Sequence, residues 1–290
     1  MDDFTLRLVH LHHCRGIGWT HIYRLLKTDP ELESIYDLAW HDNKNLRLST
    51  PDLNKALTDL HSNSILEQIR RYRENNIHAI TLFDKEYPQL LKEIYQPPWI
   101  LYIKGDPALL NEKKLLAVVG SREITEYGRK AIHCLFPPLI NQGITIVSGL
   151  AKGVDALAHS AAMKSGGSTI GVIAGGLYHI YPKENQPLAL EMMKSQLIIS
   201  EHPPNTRPAR WQFPHRNRII SGLSHGTLIV EAKRKSGSLI TASFAVNEGR
   251  EVFAVPGSIL SPNSEGTNDL IQQGAKLVKT ADDILEEFKS

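Results

Sequence analysis

Apolar runs of four or five residues recur through the middle and C-terminal parts of the chain, most of them closed by a turn-forming residue and followed by apolar positions at helical spacing. Leu115 to Val119, Ile144 to Val147, Thr169 to Ile173, Leu197 to Ser200, Thr227 to Glu231 and Glu251 to Val255 predict buried strands. The segments between them predict helices from about Thr125 to Asn141, Asp155 to Ser165, Pro187 to Ser195, Asn217 to His225 and Leu239 to Glu248. Such alternation implies an α/β fold with a doubly wound, mostly parallel sheet. Ligands of these sheets sit beyond the carboxyl ends of the strands, so the turns that follow each run are the first place to look for function.

The N-terminal part has a different rhythm. Residues 1–82 read as mostly helical, with apolar positions at helical spacing in Phe4 to Leu11, Ile22 to Leu26 and Ile65 to Tyr72, and a helix start at Thr50-Pro51-Asp52. Between the first two helices, Gly16-Ile17-Gly18 fits either a helix-hairpin-helix turn, whose amides approach a phosphate backbone, or a tight connection within an interaction bundle. From Asn76 the pattern breaks into short apolar pieces and prolines, and residues 83–114 read as a linker that adds strands, notably Trp99 to Asp106, to the sheet of residues 115–290.

With 41% apolar and 22% charged residues the chain is neither disordered nor fibrous, and its 290 residues suffice for one large and one small domain. A net charge of +2 does not by itself point to nucleic acid, so a basic surface has to come from local clustering. Cys14 and Cys134 lack zinc or disulfide spacing, and His12-His13 belongs to no metal-ligand motif. No export signal or membrane-length apolar run is evident, and a cytoplasmic protein without cofactor is expected.

Local clustering is found at the strand ends. Gly120-Ser121-Arg122 and Ser148-Gly149-Leu150-Ala151-Lys152-Gly153 each combine glycine with a cation where a strand turns into a helix, and helix N-termini favour anions. Neither turn carries the dinucleotide or P-loop fingerprint. A third turn holds Gly176, Tyr178, Tyr181, Lys183 and Asn185. A fourth span, Arg207 to Arg218, interleaves Arg207, Arg210, Arg216 and Arg218 with Trp211 and Phe213, and no acidic residue occurs between Glu201 and Glu231. Phosphate-directed charge beside stacking surface is the composition of a single-strand groove. Ser236 and Ser238 can cap a helix or donate to an anion. Asp155, Glu184 and Glu231 are as readily capping or ion-pair residues as acids, and no catalysis is expected.

In order, Gly120-Ser121-Arg122, Ser148 to Asp155, Tyr181-Pro182-Lys183-Glu184-Asn185, Arg216-Asn217-Arg218-Ile219-Ile220-Ser221-Gly222, Ser236 to Thr241 and Pro256-Gly257-Ser258 resemble the bacterial DNA-processing protein A family over residues 80–290. The resemblance implies an extended Rossmann-like domain that binds single-stranded DNA and helps load the RecA recombinase during natural transformation, with no enzymatic activity. It makes Arg122 and Lys183 the principal phosphate contacts, with the Gly120 turn and Tyr181 shaping their pocket, and Arg216 and Arg218 match the family motif. It further implies a small SAM-like helical domain at the N-terminus and a homodimer through the C-terminal part of the Rossmann domain. That part includes Val246, Ile271 and Leu277, near a surface used by RecA. The winged helix that follows in many relatives is not expected in this sequence. The alternative from another class is a Rossmann-type nucleotide hydrolase; a third possibility is an assembly protein acting through its N-terminal helices.

Overall fold

Polar caps and amphipathic spacing set the first four helices, α1 (Asp3–His13), α2 (Trp19–Thr28), α3 (Thr50–Leu60) and α4 (Asn63–Glu74), in a computed structural model that describes residues 1–37 and 48–289. Asp2 Oδ1 accepts from Thr5 N at 2.7 Å to open α1, and Ser49 caps α3 with Pro51 in its first turn. Three amides of the hairpin between α1 and α2 are engaged within the protein. Arg15 N donates to Asp59 Oδ2 at 2.8 Å, Ile17 N to Cys14 O at 3.3 Å and Gly18 N to His21 Nδ1 at 3.0 Å.

Nine strands follow, β1 (His78–Thr81), β2 (Ile100–Gly105), β3 (Leu115–Val119), β4 (Thr145–Ser148), β5 (Thr169–Ile173), β6 (Leu197–Ser200), β7 (Gly226–Ile229), β8 (Glu251–Ala254) and β9 (Lys276–Leu277). They form one sheet in the order β1-β2-β6-β5-β4-β3-β7-β8-β9. β2 pairs antiparallel with β1 on one side and with β6 on the other, and all remaining pairs are parallel. β1 therefore belongs to the sheet although it falls within the 1–82 stretch read as helical, because Ala79 to Leu82 is too short for a helix and finds a partner in β2. From β3 the chain steps outward through β4, β5 and β6, then returns to lay β7 on the other side of β3. This reversal is a topological switch point, and it opens a crevice at the carboxyl ends of β3 and β7.

The helices between the strands are α5 (Gln89–Lys92), α6 (Glu126–Asn141), α7 (Val154–Lys164), α8 (Gln186–Ser195), α9 (Gln212–Gly222), α10 (Gly237–Asn247), α11 (Glu265–Gln272) and α12 (Asp282–Leu285). α5, α9 and α10 bury Leu91, Ile219, Ile220 and Ala245 on one face of the sheet. α6, α7 and α12 bury Phe136, Ala158 and Ile284 on the other. Helix α9 begins five residues ahead of the expected Asn217, since Pro214 sits in its first turn, where a missing N–H costs no intrahelical bond.

The N-terminal helices share a third core with the β2–β6 side of the sheet, where Leu8, Ile69 and Tyr72 pack with Trp99, Tyr102 and Ile198. Trp19 and Trp99 stack at 5.1 Å, and each indole N–H is satisfied, Trp19 by Pro97 O at 2.7 Å and Trp99 by Trp19 O at 3.1 Å. Burial pulls the imidazoles of His12 and His13 down to about 3 and about 4, so both are neutral where they meet the hydroxyls of Tyr102 and Tyr72. Among the described residues no helix is long and apolar enough to cross a membrane, and no group of three His, Cys, Asp or Glu side chains is placed to hold a metal ion.

Candidate nucleic-acid interface

The turns after β3 and β4 are locked to each other. Val154 N donates to Ser121 O at 3.1 Å, and Gly153, at φ +78°, lies so close to the carbonyls of Ser121 and Arg122 that a Cβ there would stand 2.3 Å from the first. Ser121 is buried and uses its hydroxyl to accept from Glu123 N at 3.0 Å, which turns the chain so that Arg122 projects to solvent. Beneath this turn the buried Glu231 accepts from Thr125 N at 2.9 Å and from the Thr125 hydroxyl at the start of α6.

Between these turns and the first turns of α9 and α10 lies a cleft of about 490 Å³ at the switch point. Gly120 and Arg122 line it from β3, Asp155 from α7, Tyr181 from the loop after β5, Arg210, Phe213, Arg216 and Asn217 from the α9 region, and Ser236, Ser238, Ile240 and Thr241 from α10. Tyr181 and Phe213 meet edge to face at 5.7 Å to form an aromatic wall. Arg216 is the floor. Its guanidinium donates to Val172 O and, through Nε, to Asn217 Oδ1 at 3.2 Å. Arg216 and Asp155 approach each other over Gly149, where any side chain would collide with both. Burial raises the Asp155 carboxyl against the pull of Arg216, while Ala151 N donates to Asp155 Oδ2 at 3.2 Å.

Other predicted residues frame the cleft. Asn185 Nδ2 donates to Leu150 O and Ala151 O at 3.0 Å each and so fixes the turn after β4. Asn217 Nδ2 holds the start of α10 through Gly237 O at 3.2 Å. Ser236 caps α10 and shares a hydrogen bond with Ser238 at 2.6 Å. Lys183 stands exposed outside the lining, and Lys152 is paired with Glu184 at 2.6 Å.

Two predicted DNA contacts lie elsewhere. Arg218 points away from the cleft into a buried ion pair with Glu201, where its charge is spent on the carboxylate. Gly176 is packed against the 203–206 loop, its N–H donating to Thr206 O at 2.8 Å, and it does not line the cleft. Conversely, the cleft takes in Arg210, Phe213, Ile240 and Thr241, which were not singled out as site residues. For Arg210 and Phe213 the signal is the acid-free, arginine- and aromatic-rich span, whose members only the α9 helix sorts into lining and outside; Ile240 and Thr241 follow the Ser236–Ser238 cap on α10. Val246 and Leu277 face solvent on the far side of α10 and on the edge strand β9, and Ile271 is half-buried.

A cleft at the switch point of a Rossmann-like sheet, with arginines on its floor and rim and aromatic rings on its wall, is the arrangement in which folds of the extended Rossmann class favour anionic ligands. Comparison with known proteins narrows this. The chain belongs to the DNA recombination-mediator protein A family, whose model matches residues 78–289. It is 52% identical over 217 residues to DNA processing protein DprA of Bacillus subtilis, covering 75% of this chain and 73% of that protein. The crystal structure of DNA processing protein A from Streptococcus pneumoniae superposes with a TM-score of 0.87 at 36% identity, over 100% of both chains. DNA processing protein A from Helicobacter pylori, whose structure is described for its unique single-stranded DNA binding mode, gives a TM-score of 0.66 at 31% identity over 73% of this chain and 95% of that one.

Proposed function

We propose that this chain binds and protects single-stranded DNA in the switch-point cleft and mediates loading of RecA on it during natural transformation, as a non-catalytic homodimer. The observation that carries this reading is the convergence of Arg122, Arg210 and Arg216 with the Tyr181–Phe213 wall in one cleft. Cations that follow a phosphate backbone and rings that stack on any base suit a single strand without sequence preference. The single-strand binding of the Helicobacter pylori relative supports it. Lys183 and Lys152 would meet phosphates at the rim, the latter by exchanging Glu184 for the DNA. A nucleotide hydrolase is less well supported, because the candidate acids are engaged: Asp155 with Ala151 N, Glu184 with Lys152 and Glu231 with Thr125.

Salt-titrated binding to fluorescent single-stranded and duplex oligonucleotides tests the proposal. Preference for the single strand is expected, and Arg122→Ala and Lys183→Ala should each weaken binding alike for every base sequence and lower the salt slope by about one. Unchanged affinity in both variants would remove the cleft from consideration. RecA filament assembly on protein-coated DNA is the companion assay for the loading step.

A further inference from the structure

Three segments meet on a ledge just outside the cleft. The 203–206 loop holds the turn after β5, with Tyr178 N donating to Pro204 O at 3.0 Å, and it also reaches the N-terminal helices, where Asn205 Nδ2 donates to Gln68 Oε1 of α4 at 2.7 Å. Directly after this loop come Arg207, Arg210 and Trp211, fixed by the buried Gln212, whose Oε1 accepts from Ala209 N. Trp211 is 63% exposed and Tyr178 42%. Rings of this size left so open to water mark an interaction surface when cations surround them. Arg207 and Arg210 make no ion pair among the described residues, and the nearest acid in the sequence, Glu201, is already paired with Arg218. On α4, exposed Arg71 lies one turn beyond Gln68 on the same flank, with Glu67 and Glu74 as its neighbours one turn to either side and no ion pair formed to them among the described residues.

We propose that single-stranded DNA leaving the cleft crosses Arg210, Trp211 and Arg207 and runs onto helix α4 at Arg71, so that the N-terminal helices extend the DNA track. This rests on the single-strand reading of the cleft. Arg210 both lines the cleft and precedes Trp211, which makes cleft and ledge contiguous. The occupant follows from chemistry: exposed rings offer stacking to any base, and cations spaced along one path match a flexible polyanion, whereas a rigid duplex cannot present its bases to Trp211. The N-terminal helices then act on DNA through α4, while the α1–α2 hairpin serves the fold.

The test compares the full chain on thymidine oligomers of about 4 and about 16 nucleotides, the span of site sizes typical of single-strand folds. In the unmodified protein the longer strand binds more tightly. The ratio of the two affinities should fall about tenfold in Trp211→Ala, recover largely in Trp211→Phe, and fall severalfold in Arg71→Ala with a salt slope lower by about one for the longer strand. Arg122→Ala, in contrast, should weaken both lengths. A ratio left unchanged by Trp211→Ala and Arg71→Ala, with unfolding midpoints intact, would overturn the track while leaving the cleft standing. No binding of either oligomer by the unmodified chain would overturn both.

Discussion

Arg216 and Arg218 stand two positions apart on α9, so their side chains leave the helix about 200° apart. One forms the floor of the cleft and the other turns to Glu201 on the opposite flank. A motif read along the chain makes them equivalent; the helix makes them different. Burial raises the Glu201 carboxyl, but His215, 3.4 Å away, and Arg218 outweigh it and bring it from 4.5 down to about 2. Because the folded value lies below the unfolded one, this pair stabilises the fold above about pH 4.5, and the contribution fades as pH falls toward about 2. Arg218→Ala leaves the buried Glu201 without its guanidinium partner and with only His215 beside it, and should cost about 3–5 kcal/mol in urea unfolding at neutral pH. A variant as stable as the parent that binds DNA more weakly would return Arg218 to the binding surface.

At the scale of elements, the cleft depends on two strand-end turns that fit only because one residue lacks a side chain. Gly153→Ala would force a Cβ against the carbonyls of Ser121 and Arg122 at a φ of +78°. The expected result is a loss of more than about 1 kcal/mol in stability and weaker single-strand binding, with every charge retained. Equal affinity in a folded Gly153→Ala protein would show that the two turns need not be locked for binding. Strands β3 to β7 were legible because each is buried along its whole length and reads as a mostly apolar run, whereas the two-residue β9 carries no such signal. The start of α9 was not, since proline reads as a breaker and its first-turn exemption depends on where the preceding turn leaves the chain.

At the scale of the whole molecule, the exposed Val246 and Leu277 with half-buried Ile271 suit the proposed homodimer, which would present two clefts to one strand and raise avidity without new contacts. Leu277→Glu, on the edge strand, should shift the protein to monomer in sedimentation and weaken binding to long strands more than to short ones. Sedimentation unchanged by this substitution, or a parent chain that is already monomeric, would count against pairing through this face. The packing of α1 to α4 against β2 and β6 also belongs to this scale, since Trp19 and Trp99 are far apart in sequence and meet only in the shared core.

The sequence by itself determined the alternation of strand and helix, the glycine-and-cation turns and the family resemblance, because these rest on local periodicity and on residues adjacent in the chain. The tertiary structure decided which cations share a cleft, that Arg218 and Gly176 lie outside its lining, that Arg210 and Phe213 line it, and that α4 borders the ledge. Those outcomes depend on the direction in which each side chain leaves its helix and on the strand order that brings distant turns to one switch point, and neither is encoded in any single stretch of residues.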